Sequence, residues 1–216
     1  MIPSIIPQQN FELIRDRIGL IIFQELENQY DLTNNSTLEK PKFNQGEYPE
    51  SLLVYIDRVV SFDEAEMPVV NVSYNGGVYD LNNPKYADGN NTYFIDVYVK
   101  SDANEDGEET DADKLAGRKL ASILGKIAFI LRYSAYKTLG FEAGFIGNTK
   151  VASLTNLGPL QSNNLQDSNR CIVGRIVFEV RATENVTPIE PINAMGFLTT
   201  VKLSLTNKGY VYIGDY

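Results

Sequence analysis

Between residues 9 and 29 apolar side chains recur at three- and four-residue steps: Phe11, Ile14, Ile18, Ile21, Ile22 and Leu26. Glu12, Arg15, Asp16, Glu25 and Glu27 fall on the other faces, so the spacing predicts an amphipathic helix. A second stripe, Leu115, Leu120, Ile123, Leu124, Ile127, Ile130 and Leu131, predicts another helix over about 112–137. Ala116, Gly117, Ala121, Gly125 and Ala128 within it are small. Each helical glycine costs up to about 1 kcal/mol relative to alanine, and close packing of this helix on a sheet is the expected compensation. Gly140 is placed to end the element.

The pattern changes to period two elsewhere. "LLVYIDRVVS" (52–61) is rich in β-branched and aromatic residues and predicts a strand. "VVNVSY" (69–74) predicts a second, with Val70, Val72 and Tyr74 on one face and Pro68 at its entrance, where a missing N–H matters least. "NGG" (75–77) signals a turn, and "DLNNPKYADGNN" a loop. In "TYFIDVYVKS" (92–101), Tyr93, Ile95, Val97 and Val99 share one face and Phe94, Asp96 and Tyr98 the other. "CIVGRIVFEVRA" (171–182) predicts a further strand, whereas 141–169 alternates short apolar pieces with turns. A proline linker, "TPIEPIN", leads to two strand-like runs around Asn207-Lys208-Gly209, a C-terminal hairpin too small to be stable alone.

With no repeated strand–helix–strand unit, this order implies an α+β fold: a mainly antiparallel sheet flanked by two amphipathic helices, with a C-terminal β-hairpin extension. The expected division is a main domain over 1–183 and a linker plus hairpin arm over 184–216. The polar connection over 30–50 is long enough to be functional or to order against a partner.

Composition narrows the functions available. The net charge of −9 argues against a protein that grips nucleic acid by neutralising phosphates, though not against one that DNA slides past. There is no histidine and one cysteine, Cys171, which removes histidine-based acid–base catalysis, the Ser-His and Cys-His pairs and the usual zinc sets. Cys171 opens an apolar run and reads as buried packing. "MIPSIIPQQN" lacks the pattern of a signal peptide, and no run approaches the roughly 18–20 apolar residues of a membrane span. The expectation is a soluble protein, made and used without export.

The most unusual stretch is "SDANEDGEETDAD" (101–113), with seven acidic residues from Asp102 to Asp113. Asp102, Asn104 and Asp106 take positions 1, 3 and 5 of a calcium loop, Gly107 the turn and Asp113 position 12. The fit then fails: position 12 calls for the longer Glu, Glu109 occupies a normally apolar position, and the incoming element is a strand. Alternatively Thr110 or Asp111 caps the second helix and the acids favour the positive end of its dipole. A solvated acidic loop with a helix cap is the preferred reading, so no metal site, cofactor or catalytic residue is assigned. "YNGG" is too short to cradle phosphate. Asp57, Asp63, Glu64 and Glu66 read as surface acids rather than a glycosidase pair. Tyr210, Tyr212 and Tyr216 fit a core or an interface equally well.

Four stretches together carry a resemblance: "FELIRDRIGLIIFQELENQ", the pair "LLVYIDRVVS" and "MPVVNVSY", "YFIDVYVKS" leading to "DKLAGRKLASILGKIAFILRYS", and "IVGRIVFEVRA". Over about residues 9–183 the chain resembles the bacteriophage tail-terminator and neck (head–tail connector) ring proteins. The long 30–50 connection, the 141–169 insertion and the hairpin depart from that pattern. The resemblance implies a non-enzymatic virion protein, assembled in the host cytoplasm. It would form a hexameric or dodecameric homo-oligomeric ring in the tail or neck, contacting neighbouring portal, connector or tail ring proteins. DNA would pass through its channel without specific binding, no membrane would be involved, and the acidic segment would gain a third role as a lumen or rim loop. The alternative is a calcium-stabilised soluble α+β binding module.

Overall fold

The computed structural model describes residues 8–35, 52–59, 66–79, 86–100, 112–159, 171–185, 197–202 and 209–214. The acidic segment through Asp111, with Asp102, Asn104 and Asp106, lies outside them, as do most of the 30–50 connection, Asp63, Glu64 and Tyr216. Asp113 falls within a helix, but its side chain is also outside the described set.

The fold is α+β. In chain order it runs α1 (Asn10–Asn35), β1 (Leu53–Ile56), β2 (Val69–Tyr79), β3 (Tyr86–Lys100), α2 (Ala112–Arg132), a 3-10 turn (Ser134–Tyr136), β4 (Ile146–Pro159) and β5 (Cys171–Asn185). Five strands form one sheet in the order β1-β2-β3-β5-β4. Only the β1–β2 pair is parallel. The chain divides after Val186 into two compact units, and the second holds β6 (Phe197–Lys202) paired antiparallel with β7 (Gly209–Gly214).

Alternation along the strands decides which sheet face carries the core. Val70, Val72, Tyr93, Ile95, Val97, Val99, Ile176, Phe178 and Val180 share one face by register and are buried. Both helices lie on that face. Ile14, Ile18, Ile22 and Leu26 of α1 and Leu120, Ile123, Leu124, Ile127 and Leu131 of α2 join the same apolar cluster. The two helices therefore flank the sheet from one side, in two layers.

Several expectations need correction. "NGG" makes no turn: β2 continues through it to Tyr79, with a bulge between Tyr74 and Gly76. Gly77 is small for a different reason, since a Cβ there would collide with Asn91 Oδ1 and come within 2.8 Å of Tyr74 Oη. The loop expected before residue 92 is strand from Tyr86 onward, paired with β5. The pieces expected in 141–169 include a fourteen-residue edge strand, β4, which three register shifts obscure in the sequence. Conversely, β1 is only four residues long and stops at Asp57, which adopts φ 48°.

The small residues of α2 do not all serve close packing on the sheet. Ala116 and Ala128 are buried, but Ala121 and Gly125 are exposed, and a Cβ on Gly117 or Gly125 would meet nothing within 4 Å. The close approach is made from the opposite side, at Gly174 of β5, where a Cβ would meet Leu124 Cδ1 at 2.6 Å and Leu120 Cδ1 at 3.1 Å. Gly140 does not end α2 either. The helix stops at Arg132, and Gly140 takes φ 75° beyond the 3-10 turn.

Candidate interaction surface

The carboxylates raised by the sequence are engaged in holding the fold wherever they are described. Asp57 follows β1 and accepts an ion-paired hydrogen bond from Arg15 of α1, while its Oδ1 accepts from the Tyr74 N–H at 3.2 Å. Glu66 receives both arms of Arg58, at 3.0 and 2.8 Å, and the Tyr55 hydroxyl at 2.9 Å. Asn71 fixes the same segment by donating to the Arg58 carbonyl and accepting from the Arg58 N–H. These contacts tie the ends of β1 and β2 to α1 and to the segment entering β2.

The sheet face away from the helices has its own polar centre. Asp96 on β3 stands opposite Arg175 on β5, and the guanidinium meets it through two parallel hydrogen bonds of 2.6 and 2.8 Å. Arg175 also lies over the Phe94 ring, 4.0 Å from its centroid. Hydrogen bonding to Asp96 raises the Arg175 pKa above its ordinary value. Burial raises that of neighbouring Tyr98, the Asp96 charge adding to it. Cys171 is buried on this face and its thiol donates to Met67 Sδ at 3.2 Å. Farther along, Val78, Asn90, Asn148, Lys150, Glu179 and Arg181 line a depression of about 590 Å³.

The outward faces of the helices are the other exposed feature. Leu13, Leu20 and Phe23 of α1 lie out of phase with its buried stripe and reach solvent, with Glu27 and Asp31 continuing the same face. On α2 the outward line is Arg118, Ala121, Gly125, Phe129 and Arg132, with Tyr133 beside it. Phe129 is 70% exposed and Tyr133 52%, and their rings stack at 6.3 Å. Tyr133 in turn leans on Tyr136, whose hydroxyl donates to Glu25 of α1; that bond raises the Tyr136 pKa. The sheet edges are apolar too: Leu53 and Ile56 of β1, and Leu154 and Leu157 of β4, are exposed.

The sequence reading stopped at the buried stripes and missed these outward residues. The available signal was Phe129 and Tyr133, four positions apart and out of phase with the buried stripe of α2. Among the described residues no group of three or more His, Cys, Asp or Glu side chains is placed to hold a metal ion, and no helix is long and apolar enough to cross a membrane. Tyr210 and Tyr212 lie on β7, whose side chains are outside the described set. Comparison with protein-family models and with curated proteins gives no match.

Proposed function

We infer that this chain is a structural virion protein that forms a homo-oligomeric ring in a phage neck or tail, joining head-side and tail-side components around the DNA channel. The observation that carries this reading is the distribution of exposed apolar side chains. They occupy the outer faces of both helices and both edge strands, not a single cleft. A ring subunit needs contacts on several sides, to its neighbours around the ring and to components above and below. Exposed apolar positions rimmed by charge are what such contacts use. The pairing of Asp57, Glu66 and Asp96 with arginines gives those carboxylates structural work and fits a protein that assembles instead of catalysing.

The charge supports the same reading. A net −9 disfavours retention of phosphates, so duplex DNA would traverse a channel lined by this chain without being held. The deciding experiment is a native mass spectrum of the full chain paired with electron microscopy of the same sample. A fixed copy number and a closed ring, with an opening wide enough for duplex DNA, are expected. A compact oligomer without an opening, or a chain that stays monomeric at every concentration and does not enter tails assembled in its presence, overturns the reading.

A further inference from the structure

We propose that the outward face of α2 docks on the outward face of α1 of a second copy of this chain. The proposal names the contact for the self-association in the ring reading and rests on that part of it. Three observations lead to it.

The first is charge. α2 carries five basic residues and one acidic residue. α1 carries five acidic and two basic. Arg118 and Arg132 stand on the outward line of α2, which has no acid from 118 to 132. Glu27 and Asp31 stand on that of α1, whose last cation is Arg17. Two helices of one chain thus show opposite charge to solvent, although the chain as a whole is acidic. Like faces repel and unlike faces attract, which selects α2 against α1 over either helix against itself.

The second is apolar content. Leu20 and Phe23 on α1, and Phe129 on α2 with Tyr133 just past its end, are exposed. Each pair adjoins the charges on its line, Glu27 and Asp31 after Leu20 and Phe23, and Arg132 between Phe129 and Tyr133, so apolar and charged groups would meet in one contact. Exposed aromatic rings of this kind are the usual anchors.

The third is shape. Gly125 is exposed in mid-helix, where it costs up to about 1 kcal/mol relative to alanine and nothing within the described chain uses the space. With Ala121 one turn before and Phe129 one turn after, it forms a notch bounded by a ring. A facing helix can seat a large side chain there, and Phe23 or Leu20 has the size to fill it. The α2 helix of 21 residues is about 30 Å long, enough for several turns of contact. Because the two patches differ, each copy offers one of each. Contacts then repeat head to tail and close into a ring when the rotation allows, or pair around a two-fold axis into a dimer.

The test uses two full-length proteins in a Cys171→Ala background, one with Ala121→Cys and one with Glu27→Cys, mixed and exposed to a mild oxidant. Mixed disulfides several-fold above the statistical share are expected on non-reducing gels. Same-protein dimers in excess, or no cross-link, overturn the docking. Arg118→Glu with Arg132→Glu should also shift the sedimenting species toward monomer. Adding Glu27→Arg and Asp31→Arg in the same chain should bring the oligomer back, which a misfolded variant would not do. A closed ring without mixed disulfides sinks the docking and leaves the ring reading standing. Mixed disulfides in a species that never exceeds a dimer uphold the docking and sink the ring.

Discussion

Among the described residues, Asp96 is where burial and charge conflict most directly. Its side chain is 8% exposed, on the sheet face that carries no described helix, and its carboxylate is held by Arg175, 31% exposed, on the neighbouring strand. An ion pair formed this way contributes little net stability, since desolvation offsets most of the attraction, but breaking it leaves a carboxylate with neither water nor a partner. Arg175→Ala should therefore destabilise the chain by about 2–3 kcal/mol, less than the roughly 3–5 kcal/mol of a fully buried pair because the guanidinium reaches solvent. The check is a urea midpoint that falls while the slope is unchanged. Adding Asp96→Asn to that variant should recover part of the loss, because no charge is then left without its partner. A loss no smaller in the double variant would assign the effect to the packing of Arg175 on Phe94 instead. The sequence places Asp96 on the polar face of β3, and there it is. It could not show that the partner arrives 79 residues later, because that pairing depends on the register of β3 with β5.

At the scale of elements, the glycines separate what the helix–sheet contact needs from what it does not. Gly174→Ala puts a methyl group 2.6 Å from Leu124 and 3.1 Å from Leu120, and both are core side chains held on every side. A cost of about 1–3 kcal/mol is expected, as for other overpacked cores. Gly125→Ala meets nothing, so it should stabilise the single chain by up to about 1 kcal/mol through helix propensity alone. Thermal midpoints of the two variants, measured where the chain is monomeric, should move in opposite directions; a Gly174→Ala midpoint that does not fall would mean that α2 is not seated on Gly174. The helices and β3 were legible because their stripes are long and in phase with one periodicity. β4 was not: bulges at three places break its alternation, and as an edge strand it exposes most of one run from Ala152 to Leu157. The outward stripes of α1 and α2 were written in the sequence as well. They became a candidate surface only once burial separated Phe129 and Leu20 from the neighbouring core residues, since apolar residues scattered over a helix are ordinary until their exposure is known.

The whole molecule divides into two compact units. Among the described side chains every member of the core cluster lies between Ile14 and Ala182, and the first compact unit closes at Val186. Among the described residues the second unit has two strands of six residues, paired with each other. Two strands bury too little apolar surface to offset the entropy of ordering them, so a hairpin of this size is marginal in water by itself. The first unit has a five-stranded sheet with two helices on one face around one apolar core, the layered architecture of a stable domain. A chain ending at Val186 should therefore unfold cooperatively at the same urea midpoint as the full chain under conditions where both are monomeric. The isolated segment 187–216 should show no cooperative transition. A lower midpoint in the shortened chain would mean that the hairpin contributes to the core of its own subunit. An unchanged midpoint leaves the hairpin to draw its stability from a neighbour, and makes it an arm whose folding is coupled to assembly.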